Sequence, residues 1–340
     1  MKKILLFILL MAAAVTGIRA QQRIQYSQYL LNSFLVNPAV GGAERYLDVK
    51  AGWSQQWVGF EGAPRGLYLS LNKGIYPPAS SGTKVTSLPV RGRVAVDPTQ
   101  EKIEQIGGDN RNFHLGLGGT LFSETAGPIS YNGISGAFSG HLRLTRELRL
   151  SIGASMEILN YRLDPTSITF LEANDVVIPE NTTNLFLPSV NAGFALYTRS
   201  VFLAGATRQL LQNRVQINPQ NPVISGLEVH YLLQGGFRVR VGQGVSFVPS
   251  LILRYIAPAP VSWEVSLRSD IRDLLSFGLS YRHQDALIGI IGVNLNHRVA
   301  LQYSYDYTTS ALSNVSSGTH SLVLALRLAN PTGAPRTYFW

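Results

Sequence analysis

The sequence predicts an all-β fold, a transmembrane antiparallel β-barrel of about fourteen strands with both termini periplasmic. Three observations lead there: a strict two-residue alternation of apolar and polar side chains, segments of about nine to eleven residues, and connections that alternate between short and long.

In Val261-Ser262-Trp263-Glu264-Val265-Ser266-Leu267-Arg268 every odd position is apolar and every even one polar. Val299, Leu301, Tyr303, Tyr305 and Tyr307 share one face, and Gln302, Ser304 and Asp306 share the other. Leu322, Leu324, Leu326 and Leu328 likewise oppose Ser321, Val323, Ala325 and Arg327. Alternation alone fits a soluble sandwich as well as a barrel. Length separates the two, since ordinary strands cluster at about five or six residues while a tilted bilayer crossing needs about nine to eleven. The polar faces are rich in Gly, Ser and Ala, with an occasional Arg or Glu, as in a barrel lumen.

The expected strands are 46–55, 66–72, 113–123, 130–142, 148–162, 187–198, 201–211, 227–239, 245–255, 261–268, 274–282, 287–296, 299–307 and 319–328. Short turns at 145–147, 199–200, 240–244, 269–273 and 297–298 fall at every second connection. Between them lie 163–186, 212–226, 256–260, 283–286 and 308–318, most of them longer, as expected of outer loops. The long connection 73–112 breaks that rule and reads as an inserted periplasmic segment.

Composition agrees: of 340 residues 14% are charged, with 32 Gly, 15 Tyr and no Cys. That is well below the usual charged fraction of about a quarter. Absence of Cys excludes disulfides, thiol nucleophiles, thiolate metal sites and a lipoprotein anchor. Residues 1–20 read as a signal peptide, with Lys2 and Lys3 before an apolar core and Ala20 at the cleavage site. Residues 21–45 read as a periplasmic lead-in, 46–328 as the barrel and 329–340 as a tail.

The net charge of +9 does not indicate nucleic acid, because the basic residues follow no recognition motif. Arg143, Arg146, Arg149, Arg199, Arg238, Arg240, Arg272 and Arg298 gather at short turns, where solvated turn charge is the simpler reading and a docking surface the alternative.

Neither a Gly-x-Ser-x-Gly elbow nor a His-Glu-x-x-His pair is present, and the six histidines are scattered. His320 beside Ser321, near Asp306 on a neighbouring strand, comes nearest to a catalytic group and reads as chance adjacency. Gly116-Leu117-Gly118-Gly119 lies inside a strand, where Gly serves close packing rather than phosphate binding. Glu157, Glu264 and Asp306 face inward and either line a polar pore or pair with Arg268 or Arg327. The expectation is a protein without catalytic, cofactor or metal residues.

Tyr26-Ser27-Gln28-Tyr29, then Asn37-Pro38-Ala39 with Gly41, then Gln55-Gln56-Trp57-Val58-Gly59 and Gly62-Ala63-Pro64 resemble the opening signature of the PorP/SprF family of the Bacteroidetes type IX secretion system. The run Leu301 to Ser310 with Gly318-Thr319-His320 resembles that family's closing hairpin, and Ala334-Pro335-Arg336 with Tyr338-Phe339 its terminus. The resemblance implies a non-enzymatic outer-membrane barrel that is accessory to type IX secretion, a process tied to gliding motility. Its partners would be a secreted adhesin or other cargo bearing a type IX C-terminal signal domain, other secretion components and outer-membrane lipid. It marks Asn37, Pro38, Ala39, Gln56, Trp57, Gly62, Ala63, Pro64, Tyr305, Asp306 and His320 as structural or partner residues. Proline restricts its own and the preceding backbone, so Asn37-Pro38 should form a rigid lead into the first strand and Ala63-Pro64 a rigid first outer loop. A passive porin is the alternative function, since a fourteen-stranded barrel has room for a lumen.

Overall fold

The structure, a computed structural model, describes residues 26–76, 112–164, 183–216, 224–242 and 244–329. The expected signal peptide, most of 73–112 and nearly all of the tail lie outside these residues.

The strands are β1 (Leu47–Gln55), β2 (Arg65–Ile75), β3 (Phe113–Ala126), β4 (Ile129–Arg143), β5 (Arg149–Leu163), β6 (Thr183–Tyr197) and β7 (Val201–Arg208). A small separate hairpin, β8 (Arg214–Gln216) with β9 (Ile224–Gly226), precedes β10 (His230–Phe237), which continues past Arg238 as β11 (Val239–Val241). Then come β12 (Val245–Ile256), β13 (Ser262–Ile271), β14 (Leu275–Arg282), β15 (Ala286–Asn294), β16 (Val299–Thr308) and β17 (Thr319–Leu328). Each wall strand pairs antiparallel with its chain neighbour, β10 pairs with β12, and β1 pairs with β17 from Leu47↔Leu328 to Gln55↔His320. Counting β10 with β11 as one, the wall is a closed barrel of fourteen strands. The expected strand that ran to 211 stops at Arg208, where Gln209 takes a φ of 60° and its N–H leaves the ladder for Asn191 Oδ1.

The outer face is sorted opposite to that of a water-soluble protein, and the inside is mainly polar apart from two apolar clusters where Tyr29, Leu30 and Leu31 pack on the wall. Leu67, Leu121, Phe138, Ile152, Leu279 and Ile291 are exposed on the outside, while Ser70, Asn72, Ser250, Ser266, Gln302 and Ser304 are buried within. Polar interior and apolar exterior suit a wall immersed in lipid. Closure is what makes such a wall viable, because every backbone N–H and C=O must find a partner where there is no water. Tyr231, Tyr255, Trp263, Tyr281 and Tyr307 stand on the outward face close to one end of their strands, as an interfacial aromatic belt does. That end, here the loop end, is opposite the end where β1 begins and β17 finishes.

The wall is uneven in height. Strands β3 to β6 have 14 or 15 residues, against 8 to 10 in β13 to β17. At about 3.3 Å per residue the longer group projects well beyond its neighbours. Strand β6 ladders with β7 only from Ala192 to Tyr197. Beyond that the chain after β7 covers its flank, with Gln209 N–H on Asn191 Oδ1 and Leu210 N–H on Val190 O, both at 3.0 Å, and the Asn213 amide on Pro188 O.

Candidate functional site, a lumen closed by the N-terminal segment

Residues 26–46 run through the inside of the barrel. Tyr26 donates to Glu124 of β3 at 3.0 Å, and Gln28 donates to Ser304 of β16 and to the Ser321 carbonyl of β17, both at 3.1 Å, towards the loop end. Tyr29 reaches Ser266 of β13 at 3.2 Å, and Asn32 donates to Ser70 of β2 at 2.8 Å. The Asn37 amide bridges the Phe194 and Gly205 carbonyls of β6 and β7 at 3.0 and 3.1 Å. At the far end Gly42 N–H donates to Asn72 Oδ1 at 3.0 Å. The segment therefore crosses the lumen from the loop end to the end where β1 starts, touching opposite walls as it goes. Two recesses beside it among the described residues are small, about 30 Å³ between Phe34, Pro38, Glu157 and Arg208 and about 10 Å³ beside Gln28 and Ser280. Each has room for about one water.

The lead-in expected before the first strand is this lumenal plug. Asn37-Pro38 does not introduce β1. Asn37 Oδ1 instead accepts from Ala39 N–H at 2.9 Å and caps a 3-10 turn, Pro38–Val40, with Pro at its first position. An Asn before a Pro suits that geometry, since Pro needs no hydrogen bond at the first turn and Asn satisfies the next donor.

Glycines and histidines shape the seat at the β1 end. A Cβ on Gly116 would lie 2.0 Å from the Gly41 carbonyl oxygen, and one on Gly118 would lie 2.5 Å from the Phe34 ring. The glycine run thus clears the wall for the plug, as its position inside a strand implied. His114 and His141 stack at 4.4 Å with Nε2 atoms 3.1 and 2.8 Å from the Gly42 and Gly41 carbonyls. Both are fully buried, and Tyr197 holds His141 Nδ1 at 2.7 Å.

Near the loop end the plug is clasped by charge. Ser27 donates to Asp306 and accepts from Arg282 Nη2 at 2.9 Å. Arg282 also reaches Glu264 at 2.9 Å, Asp285 at 3.0 Å and Asp306 at 3.5 Å, and Arg254 joins Glu264 at 3.3 Å. The pairing with Arg268 or Arg327 expected for the inward acids is thus replaced. Arg268 lies 2.8 Å from Asp270, Arg327 donates to Asn294, and Glu157 faces Arg208 at 3.9 Å. Register decides this, because Glu264 sits opposite Arg282 on β14 and two rungs along from Arg254.

The remaining motif residues form a belt at the loop end. Gln56 N–H donates to Pro64 O at 2.7 Å, closing the first loop, and Gly127 N–H donates to Gly62 O at 2.8 Å. Trp57 takes a φ of 43° and its N–H donates to Thr319 Oγ1. Val58 and the 317–318 backbone exchange two hydrogen bonds of 2.8 and 2.7 Å. Tyr305 O–H donates to Ser317 O at 2.8 Å. His320 meets the Tyr303 hydroxyl at 2.6 Å on the outer face, whereas Ser321 points into the lumen towards Ser54. A residue and its successor on a strand face opposite ways, so His320 and Ser321 form no nucleophile–base pair.

Lipid-facing wall, polar interior and self-made plug define an integral outer-membrane β-barrel. A family model described as type IX secretion system membrane protein PorP/SprF matches residues 18–326, and the chain belongs to that family. No curated protein matches it. Among solved structures it is similar to the Ralstonia pickettii toluene transporter TbuX (9% identity, 88% of this chain and 93% of that one, TM-score 0.48). It is also similar to a Pseudomonas aeruginosa FadL homologue (9%, 88% and 92%, 0.49) and to the translocator domain of autotransporter NalP from Neisseria meningitidis (9%, 84% and 89%, 0.40).

Proposed function

We propose that this protein is a non-enzymatic accessory barrel of type IX secretion that supports the export or surface attachment of a partner, an adhesin or other cargo with a C-terminal signal domain. Its loop end would face outward and the β1 end the periplasm. The observation that carries this reading is the plug: a lumen crossed by hydrogen-bonded chain from one end to the other is a poor passive pore, which weighs against the porin alternative.

Deleting the gene and comparing surface and culture-fluid proteomes tests the role whatever the cargo is. Type IX substrates should fall outside the cell and accumulate within it. An unchanged exported set, with only small-solute uptake altered, would return the reading to a porin.

A further inference from the structure

Each of the five short turns at the β1 end carries an exposed arginine: Arg146 between β4 and β5, Arg199 between β6 and β7, Arg240 in β11, Arg272 after β13 and Arg298 before β16. None of the five has a carboxylate partner among the described residues, and only Glu147 and Asp273 stand exposed among these turns.

Every one of these arginines has an exposed aliphatic neighbour. Leu144 accompanies Arg146, Val201 accompanies Arg199, Val239 and Val241 flank Arg240, Leu274 follows Arg272 and Leu295 precedes Arg298. We propose that this rim is a binding ring for anionic phosphodiester headgroups in the bilayer leaflet at the β1 end, with the aliphatic residues in the acyl region and each guanidinium in the headgroup layer. A guanidinium matches phosphate oxygens in bidentate fashion, and long basic side chains reach from apolar surface to the polar layer. The distribution selects lipid over a protein. An acidic partner would engage one sector of the rim, whereas these cations recur in turn after turn around the wall, as a surrounding leaflet requires.

The test uses the purified full-length barrel in mixed phosphatidylglycerol and phosphatidylcholine nanodiscs, reading the headgroups retained on extraction by native mass spectrometry. Wild type should retain the anionic lipid about fivefold over the zwitterionic one at low salt, with the preference shrinking in about 0.5 M NaCl. The variant R146Q/R199Q/R240Q/R272Q/R298Q should lose the preference, and the same five changed to Lys should keep most of it. Heat-modifiable migration on gels confirms that both are folded. Equal retention of the two lipids by wild type, or equal loss in the Gln and Lys variants, overturns the proposal. So does lipid indifference accompanied by salt-sensitive binding of polyglutamate, which would make the rim a protein-docking surface.

Discussion

Asn37 is the best single lever on the plug. The side chain is buried and makes three hydrogen bonds, donating to the Phe194 and Gly205 carbonyls and accepting from Ala39 N–H. At about 1 kcal/mol net for each, Asn37→Ala should weaken plug seating by about 3 kcal/mol. With tenfold per 1.4 kcal/mol, the unseated population should rise about 100-fold. Asn37→Asp is the sharper variant, because it keeps the cap acceptor but sets a carboxylate oxygen against two carbonyl oxygens, and it should be at least as damaging. The chain has no cysteine, so Ser33→Cys places one buried thiol in the plug on a silent background. Its maleimide labelling rate in the folded, membrane-inserted protein reports the unseated fraction, and both Asn37 variants should raise it about 100-fold. Unchanged labelling in folded barrels would refute the idea that these contacts hold the plug.

Arg282→Met should cost about 3–5 kcal/mol, because Glu264 and Asp306 lose their shared cation inside the barrel. The urea midpoint of unfolding reads it, and adding Asp306→Asn should recover part of the loss. Gly318 has a φ of 96° and a Cβ there would lie 2.7 Å from Asp306 O, so Gly318→Val should open the seam with Val58 at a cost of about 1–3 kcal/mol. Limited proteolysis at the loop end should then become faster. Leu279→Arg on the lipid face should destabilise insertion by about 2–4 kcal/mol, measured by folding into vesicles, and a negligible effect would contradict a membrane position for β14.

The wall was legible because a lipid-facing strand writes its two faces in strict alternation, as in Val299 to Tyr307, and a closed barrel leaves no strand outside that rule. The 3-10 turns, short polar run and N-capping Asn of the plug have no such period, so residues 21–45 read as a lead-in. A signal lay in Tyr26, Tyr29, Leu30, Leu31, Phe34 and Leu35, more large apolar and aromatic side chains than a solvated linker carries. Glu264 and Asp306 were legible as inward-facing. Their cation was not, since choosing Arg282 over Arg268 requires the β13–β14 register, which alternation alone does not specify. The order of motifs likewise pointed to the family while leaving the roles of its members apart. Asn37 and Asp306 serve the plug, whereas Gln56, Trp57 and Tyr305 serve the loop-end belt.

Conductance of the purified wild-type protein in a planar lipid bilayer tests the central claim most directly, because a barrel that works through a partner rather than as a pore must be closed on its own. The hydrogen-bonded segment from Tyr26 to Gly42 predicts no steady current, with at most brief openings. A large, steady open channel would contradict the plugged lumen and, with it, the accessory role proposed for this barrel.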